Sequence, residues 1–364
     1  MPHLRAPHPH RLRRPPGAWR RSAGSRWLIA PAAFFLFLLA LRALVLSAAA
    51  LVDVLDVLGA DGALNLVGLG WLGSYFVLSG SPIAATALTL LDTGVLTQSE
   101  AFAQIVGSRI GASFIVLAVG FVYYLRGRGL ADSVHVGVVT FLITTSTWVP
   151  VALLGLAALA GGWLDGVGFG AVAPLTSLTD AVFDPLVERA DEVLPAGLLF
   201  AAAVFLLLAA LRLFDRVLPS PENTGDRLAA APARLQGRWA MFGLGAAVTL
   251  ATLSVVVSIT LLVPMALRGT IRRDAIIPYV LGANITTFAD TLFAAAALEH
   301  GGAPTVVLTT MIFATLVALF VLAVIYHPYV RAIQWAAHRI SRSRTSLAGF
   351  IAAIVVVPLV LTLV

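Results

Sequence analysis

Long runs of apolar residues constrain this chain more than any other feature. Several stretches of roughly 20 residues carry few or no charges, which is the length that a helix needs to cross about 30 Å of hydrocarbon. Hydrophobic residues make up 59% of the chain, and charged residues make up 12%, about half the share expected in a soluble domain. The sequence therefore predicts an all-α, polytopic membrane protein.

Composition and motif content argue against several other classes of function. The chain has no cysteine, which excludes disulfides and thiol chemistry. Its seven histidines lack the spacing of a metal site, and no phosphate-binding loop, nucleophile elbow or catalytic dyad is present. The net charge of +6 comes from arginines whose placement reflects membrane topology, so it does not indicate nucleic-acid binding. We expect a non-enzyme without a cofactor, with the lipid bilayer as a partner; a homodimer is left open.

The positions of the arginines predict how the chain crosses the membrane. Residues 1–26 carry seven arginines and no acid, which predicts a disordered tail on the cytoplasmic side of the cell membrane. The apolar run 27–52 is about twice as long as a signal-peptide core, which favours a retained helix over a cleaved signal. Arginine-poor and arginine-rich segments then alternate, which predicts an external loop with short amphipathic pieces at 161–192 and a cytoplasmic linker at 215–238. About seven full crossings are expected: 27–52, 101–125, 133–160, 193–214, 275–298, 303–327 and 347–364.

Two further apolar stretches are predicted to begin and end on the same side of the membrane. Residues 64–91 lie between acidic segments and are interrupted at 79–82 by Ser-Gly-Ser-Pro, where glycine and proline disfavour a continuous helix. Residues 239–267 lie between arginine-rich segments. Each stretch therefore predicts a re-entrant helical hairpin, the first opening outward and the second opening inward.

The two hairpins belong to an internal repeat. The tripeptide Gly-Leu-Gly at 68–70 recurs at 243–245, and the same offset of 175 positions pairs Gly107 with Gly282 without gaps. Inverted repeats with interrupted helices are typical of secondary transporters, because two halves related by a twofold axis in the membrane plane can exchange roles. The alternative is a scaffold protein in which the hairpins have no transport role. The predicted organisation is a first repeat at 27–214, a second repeat at 239–330, and a cytoplasmic loop with a final helix at 331–364.

The segment GANITTFADTLF, residues 282–293, concentrates polar side chains inside a predicted crossing. Hydroxyl, amide and carboxylate oxygens suit a dehydrated small cation, and the candidate cation ligands are Asn284, Thr286, Thr287 and Asp290. At the offset of 175, this segment aligns with residues 107–115, where Arg109 supplies a positive fork for an oxyanion. Broken helices with free N–H groups also suit a small anion. The candidate anion ligands are Arg109, with Ser79, Ser81, Ser254 and Ser258 from the hairpin breaks.

Each of these candidates also has a purely structural interpretation. Serine and threonine hydroxyls in membrane helices commonly bond to the backbone of their own helix. Arg109 and Asp290 are costly inside a membrane, and they either serve a ligand or neutralise each other as a structural ion pair. Arg42, midway along the first predicted helix, is expected to pack structurally or to extend its charged end toward water.

The hairpins and the polar segments together resemble the sodium–phosphate cotransporter family. GANITTFADTL is similar to that family's G-A-N-I-G-T-T motif, and GSRIGAS at 107–113 is a looser copy, so the resemblance covers roughly 64–130 and 239–300. The family's Gln-Ser-Ser-Ser stretch is replaced in the two hairpins by SGSP and SVVVS. The resemblance implies sodium-coupled symport of phosphate or a related small anion. A scaffold or sensor that kept the fold and lost transport is the alternative.

Overall fold

The structure of the chain, a computed structural model, describes residues 23–48, 52, 62–125, 130–164, 173–217, 236–267, 271–298 and 302–364. All regular structure in these ranges is helical. The helices are α1 Ala23–Ser47, α2 Ala63–Val77, α3 Ser81–Asp92, α4 Gln98–Ala112, α5 Phe114–Leu125, α6 Leu130–Ala160, α7 Ala173–Val193, α8 Ala196–Val217, α9 Arg238–Thr252, α10 Val255–Thr260, α11 Leu262–Leu267, α12 Ile276–Thr286, α13 Ala289–Ala297, α14 Ala303–Ala323, α15 Tyr326–Ser341 and α16 Arg344–Leu363.

Seven helical stretches in the described residues are long and apolar enough to span a membrane. They are 29–47, 98–122, 134–160, 196–214, 276–297, 303–323 and 344–363. These stretches confirm the predicted all-helical, multi-pass class, and each coincides with one of the predicted crossings. Two of them contain a local break, between α4 and α5 and between α12 and α13.

Two helix breaks, each beginning with a left-handed leucine, interrupt the remaining apolar stretches. Helix α2 has 15 residues and ends at Leu78, whose φ of 55° and ψ of 32° are left-handed. Helix α9 also has 15 residues and ends at Leu253, with φ 46° and ψ 23°. Leu78 and Leu253 are 175 positions apart, so the sequence offset is also a structural one. A left-handed leucine costs about 1–2 kcal/mol, which implies that the surrounding packing determines both breaks.

Close helix crossings next to the two breaks repeat at the same spacing. Helix α2 crosses α4, and α9 crosses α12, at points where the backbones touch. An added Cβ would overlap a facing carbonyl oxygen at each of four glycines: Gly70 against Gln104, Gly107 against Val67, Gly245 against Tyr279 and Gly282 against Phe242. All eight of these positions pair at the offset of 175. Small residues at such crossings let membrane helices approach closely.

The helices α2–α6 around the first break form a first unit, and the helices α9–α14 around the second break form a second unit. The two units interlock by reciprocal contacts. Helix α3, which follows the first break, packs against α13 and α14 of the second unit. Helices α10 and α11, which follow the second break, pack against α5 and α6 of the first unit. In the same way α4 contacts α14, and α12 contacts α6. Every helix pair between the units is therefore matched by its counterpart, and the second arm of each break contributes to the core of the other unit.

The remaining helices surround this interlocked core. Helices α1 and α8 pack along each other and reach the core through α3, while α16 packs on α2 and α15 packs on α6. The predicted tail lies mainly outside the described residues, and α1 already begins at Ala23. Most of the predicted linker, 218–235, also lies outside them. Short amphipathic pieces were expected within 161–192; instead α7 forms one helix of 21 residues, and its Asp184 lies 3.7 Å from the guanidinium Nε of Arg42 on α1.

Candidate functional site

A cavity of about 300 Å³ lies where the two helix breaks meet. Its polar wall combines Ser79 and Ser81 from the first break with Ser254 from the second break and Asp290 from α13. The apolar wall consists of side chains from α1, α8, α13 and the second break: Phe34, Phe37, Leu211, Phe214, Leu253 and Phe293. Three of the predicted serines and the predicted carboxylate therefore share one cavity, although they come from distant parts of the chain.

The first break is held by a close contact with α4. A Cβ atom at position 80 would lie only 2.8 Å from the carbonyl oxygen of Ser108, so glycine is required for the break to lie this close to α4. The side chain of Ser74 donates to that same carbonyl at 3.0 Å. Pro82 stands in the first turn of α3, where its missing N–H leaves no helical hydrogen bond unmade. The break thus lies against the residue that precedes Arg109 and presents the start of α3 to the cavity.

The second break has a cap of its own. The hydroxyl of Ser254 accepts a hydrogen bond from the backbone N–H of Val257 at 3.3 Å and thereby caps α10. Thr252, at the end of α9, donates to the carbonyl of Ser254 at 3.2 Å. Leu253 and Ser254 line the cavity opposite the first break. The hydroxyl of Ser254 therefore already has a structural task, while its residue forms part of the cavity wall.

Arg109 is buried between the two units and contacts the second polar segment. Only 4% of the residue is exposed. One terminal nitrogen donates to the hydroxyl of Thr291 at 2.6 Å, and the other donates to Thr287 at 3.4 Å. The guanidinium carbon lies 4.5 Å from the ring centre of Phe288, a cation–π contact. That ring in turn packs against Trp148 of α6, with 5.6 Å between the ring centres. Arg109 is thus held by three residues that lie close together where α12 passes into α13.

Asp290 completes a chain of hydrogen bonds that ends at the cavity. Its Oδ1 accepts from the backbone N–H of Thr291 at 2.6 Å and from the Thr291 hydroxyl at 3.0 Å. The Thr291 hydroxyl therefore accepts from Arg109 and donates to Asp290. No direct salt bridge joins the two charged residues, and within the described part of the chain Asp290 Oδ2 is buried without a hydrogen-bond partner. Asp290 therefore lines the cavity, Thr291 bonds to Asp290, and Arg109 bonds to Thr291.

Several predicted site residues lie away from the cavity. Ser258 is buried, and its hydroxyl pairs with the Tyr279 hydroxyl at 2.9 Å. The amide of Asn284 donates to Thr144 of α6 at 3.3 Å. Thr286 donates to the carbonyl of Ala246 on α9 at 2.9 Å. Of the four predicted cation ligands, only Thr287 and Asp290 belong to the Arg109 network, and the structure does not gather the four around one point. Within the described residues, no cluster of acidic residues, histidines or cysteines is arranged to hold a metal ion.

Sequence reasoning missed two groups of residues at this site. Thr291 is the bridge of the hydrogen-bond chain, and its spacing of four from Thr287 places both hydroxyls on one helical face toward Arg109. That spacing was a usable signal. No sequence signal marked the phenylalanines of the apolar wall. Phe34 and Phe37 lie in a run of apolar residues in which no face of the helix is distinguished by polarity.

Comparisons with known proteins found no match: no protein-family model, no curated protein and no solved structure is significantly similar to the chain.

Proposed function

We propose that this protein is a secondary active transporter that moves a small inorganic anion by alternating access, coupled to a cation. Phosphate is the substrate that the resemblance implies, and sodium is the cation that it implies. The observation that carries the proposal is the cavity that both helix breaks line together. Irregular backbone within a membrane is tolerated only where protein buries it or where it lines a cavity, and here both breaks meet at one cavity.

The repeated architecture supports alternating access. Each break begins with a left-handed leucine and follows a helix of 15 residues, and the two leucines are 175 positions apart. We interpret the reciprocal packing as two inverted repeats related by an axis in the membrane plane, with each break forming the tip of a re-entrant hairpin. Rocking of one unit against the other would then expose the shared cavity to one side of the membrane at a time. The arginine distribution supports a cytoplasmic N-terminus, and the proposed location is the cell membrane.

The polar groups around the cavity support an anion as the substrate. The start of α3 brings the positive end of a helix of 12 residues to the cavity, next to the hydroxyls of Ser79 and Ser81. Arg109 adds a buried positive charge one layer behind the cavity wall. The negative charge of Asp290 on the same wall opposes an anion, so a cation bound with the anion would remove that repulsion. This electrostatic balance is the reason to propose symport instead of uncoupled flow.

Counterflow in proteoliposomes tests the proposal. Purified protein is reconstituted with unlabelled phosphate inside, labelled phosphate is added outside, and uptake is followed with and without a sodium gradient. Expected is transient accumulation of label above equilibrium, which a simple leak cannot produce. The control variant is Arg272→Gln, because Arg272 is exposed and pairs only with Asp274 within the described residues. A parent protein that exchanges no phosphate, although it is folded and reconstituted, would favour the scaffold or sensor.

A further inference from the structure

One oxygen of the Asp290 carboxylate has a chemical environment that the fold does not explain. Asp290 is 7% exposed, lines the cavity, and begins the short helix α13. Its Oδ1 accepts two hydrogen bonds from Thr291, whereas Oδ2 accepts none from the described residues. A buried carboxylate oxygen without a donor loses the solvation it has in water, and the cost is greater because the group is charged. Binding of a positive ion at Oδ2 would remove that cost.

Apart from Asp290, the residues predicted to hold sodium face three different helices, so their oxygens do not converge on one point. A dehydrated sodium ion requires several oxygens that replace its hydration shell together. The hydroxyls of Thr287 and Thr291 accept from Arg109, the Thr286 hydroxyl binds a carbonyl on α9, and the Asn284 amide faces α6. A proton needs only one oxygen, and Oδ2 of Asp290 provides it.

We infer that Asp290 is a proton-binding site of the transport cycle and that protonation of its Oδ2 couples a proton to the anion. The inference rests on the proposed anion transport and replaces sodium by a proton as the coupling ion. The proton comes from the aqueous phase to which the cavity is open and forms an O–H bond on Oδ2, which converts the carboxylate to a neutral carboxylic acid. After the units change orientation, the proton leaves to the opposite aqueous phase.

The hydrogen-bond chain explains why the proton and the anion would bind together. While Asp290 is ionised, it balances the charge of Arg109 through the Thr291 hydroxyl and repels an anion from the cavity. Protonation removes the repulsion and leaves the Arg109 charge without its counterion. An anion that enters the cavity then supplies that counterion. By linkage, a proton that raises anion affinity is itself bound more tightly when the anion is present.

The other charged groups near Asp290 are few. Arg109 on α4 is the charge that acts on it most directly, through Thr291. Helix α14, packed against α13, has no titratable side chain, and on α3 the only one is Asp92 at the opposite end from the cavity. Helix α7 also touches α13; among its described acids, Asp184 faces Arg42, while Glu188, Asp191 and Glu192 are exposed. Arg189, the one basic residue in the sequence of α7, is exposed as well.

Infrared titration of the intact protein in detergent tests proton binding without any substrate. Parent, Asp290→Asn and the control Asp274→Asn are compared over a series of pH values. Asp274 is a suitable control because it is 40% exposed and pairs with Arg272. Expected is a protonated-carboxyl band that fades as pH rises in the parent and in Asp274→Asn and is absent from Asp290→Asn. Identical spectra for the parent and Asp290→Asn, or a carboxylate band that shifts with sodium and not with pH, would overturn the inference.

Anion binding supplies the second readout. Thermal stabilisation by inorganic phosphate is measured across the same pH range, and Asp290→Asn corrects for the ionisation of phosphate itself. Relative to this variant, parent affinity should rise about tenfold for each unit by which the pH falls, because one proton is taken up with the anion. Equal pH dependence in both proteins would overturn the coupling. A parent that shows the infrared band but neither binds nor transports phosphate would retain the proton site and reject phosphate as the substrate, so the two proposals fail separately.

Discussion

The two units of the core have similar backbone arrangements but differ in their buried polar side chains. The length of the helix before each break, the left-handed leucines and the backbone crossings recur at an offset of 175 positions. Ser79 and Ser254 also correspond, but the buried hydrogen-bond network does not recur. Arg109 in the first unit corresponds to Asn284 in the second, while Asp290 and Thr291 correspond to the apolar pair Ile115 and Val116. The first unit thus supplies the cation of the buried network, and the second unit supplies its acceptors.

This difference separates what the fold needs from what the site needs. Glycines at a backbone crossing satisfy a steric requirement that both units share, so each unit must keep them. A charge and its counterion are needed only once, and repeating them in both units would bury twice the charge at a large desolvation cost. We therefore expect substitutions at repeated positions to affect folding in both units alike, and substitutions at unrepeated positions to affect function.

The largest effect is expected at the glycine crossings. Gly245→Leu should prevent folding, because even a Cβ at this position would overlap the carbonyl of Tyr279, and overpacking by a whole side chain costs about 3 kcal/mol or more. Gly70→Leu, the equivalent change in the first unit, should have the same outcome. Gly243→Leu on the same helix α9 is the control, because no atom lies within 4 Å of its added Cβ. Yield of monodisperse protein and thermal unfolding in detergent measure the effect; equal tolerance at positions 243 and 245 would contradict the crossing.

Removal of the unrepeated charge should affect function and stability in separable ways. Arg109→Gln should abolish phosphate-induced thermal stabilisation and lower stability by about 3–5 kcal/mol, because it leaves Asp290 buried without its counter-charge. Adding Asp290→Asn should restore stability and not phosphate binding. Thermal unfolding of the parent, both single variants and the double variant, with and without phosphate, provides all four values. A double variant that regains phosphate binding would make the pair purely structural.

Much of this fold was predictable because a membrane-spanning helix needs a long apolar run that is easily recognised in the sequence. Each predicted crossing coincides with a helix of sufficient length, and the chain does break between residues 78 and 81 and after residue 252. Glycine and proline marked the first break, and the repeat offset marked the second. The region 161–192 was less accessible, because short amphipathic pieces were predicted there, whereas 173–193 forms one helix.

The site was predictable in its residue types and less so in its geometry. Ser79, Ser81, Ser254 and Asp290 were each marked by polarity in apolar surroundings, and all four line the cavity. Neighbours in sequence nevertheless diverge, because successive helical residues point about 100° apart. Asn284, Thr286 and Thr287 therefore face three different helices, and no sequence pattern states which helix lies opposite each of them.

A smaller effect is expected at the left-handed leucines that form both breaks. Leu78→Val and Leu253→Val should each lower stability by about 1–2 kcal/mol, because a β-branched residue is strongly disfavoured at positive φ. Leu250→Val is the control, since Leu250 is an exposed residue within α9 and the change there should cost only a few tenths of a kcal/mol. Thermal unfolding of the three variants measures the difference. Unequal effects at 78 and 253 would mean that the two breaks are not equivalent.

The smallest effect distinguishes the two units at one matched position. Thr286 donates to the carbonyl of Ala246, and the equivalent residue of the first unit is Gly111, whose added Cβ would overlap the carbonyl of Trp71. Thr286→Val removes one hydrogen bond between membrane helices and should cost about 0.6 kcal/mol, whereas Gly111→Val should be far more damaging. Thermal unfolding decides this too, and phosphate binding by Thr286→Val should match that of the parent. Loss of phosphate binding in this variant would mean that Thr286 belongs to the binding site.

The orientation of the two units is the central claim, and impermeant thiol labelling tests it most directly. The chain has no cysteine of its own, so single cysteines can be placed at Thr93, after the first proposed hairpin, and at Arg272, after the second; both residues are exposed. Intact cells expressing each variant are treated with the reagent before and after permeabilisation. Inverted repeats predict that position 93 reacts from outside and that position 272 reacts only after permeabilisation. Reaction of both positions from the same side would contradict the inverted arrangement and, with it, alternating access between these two units.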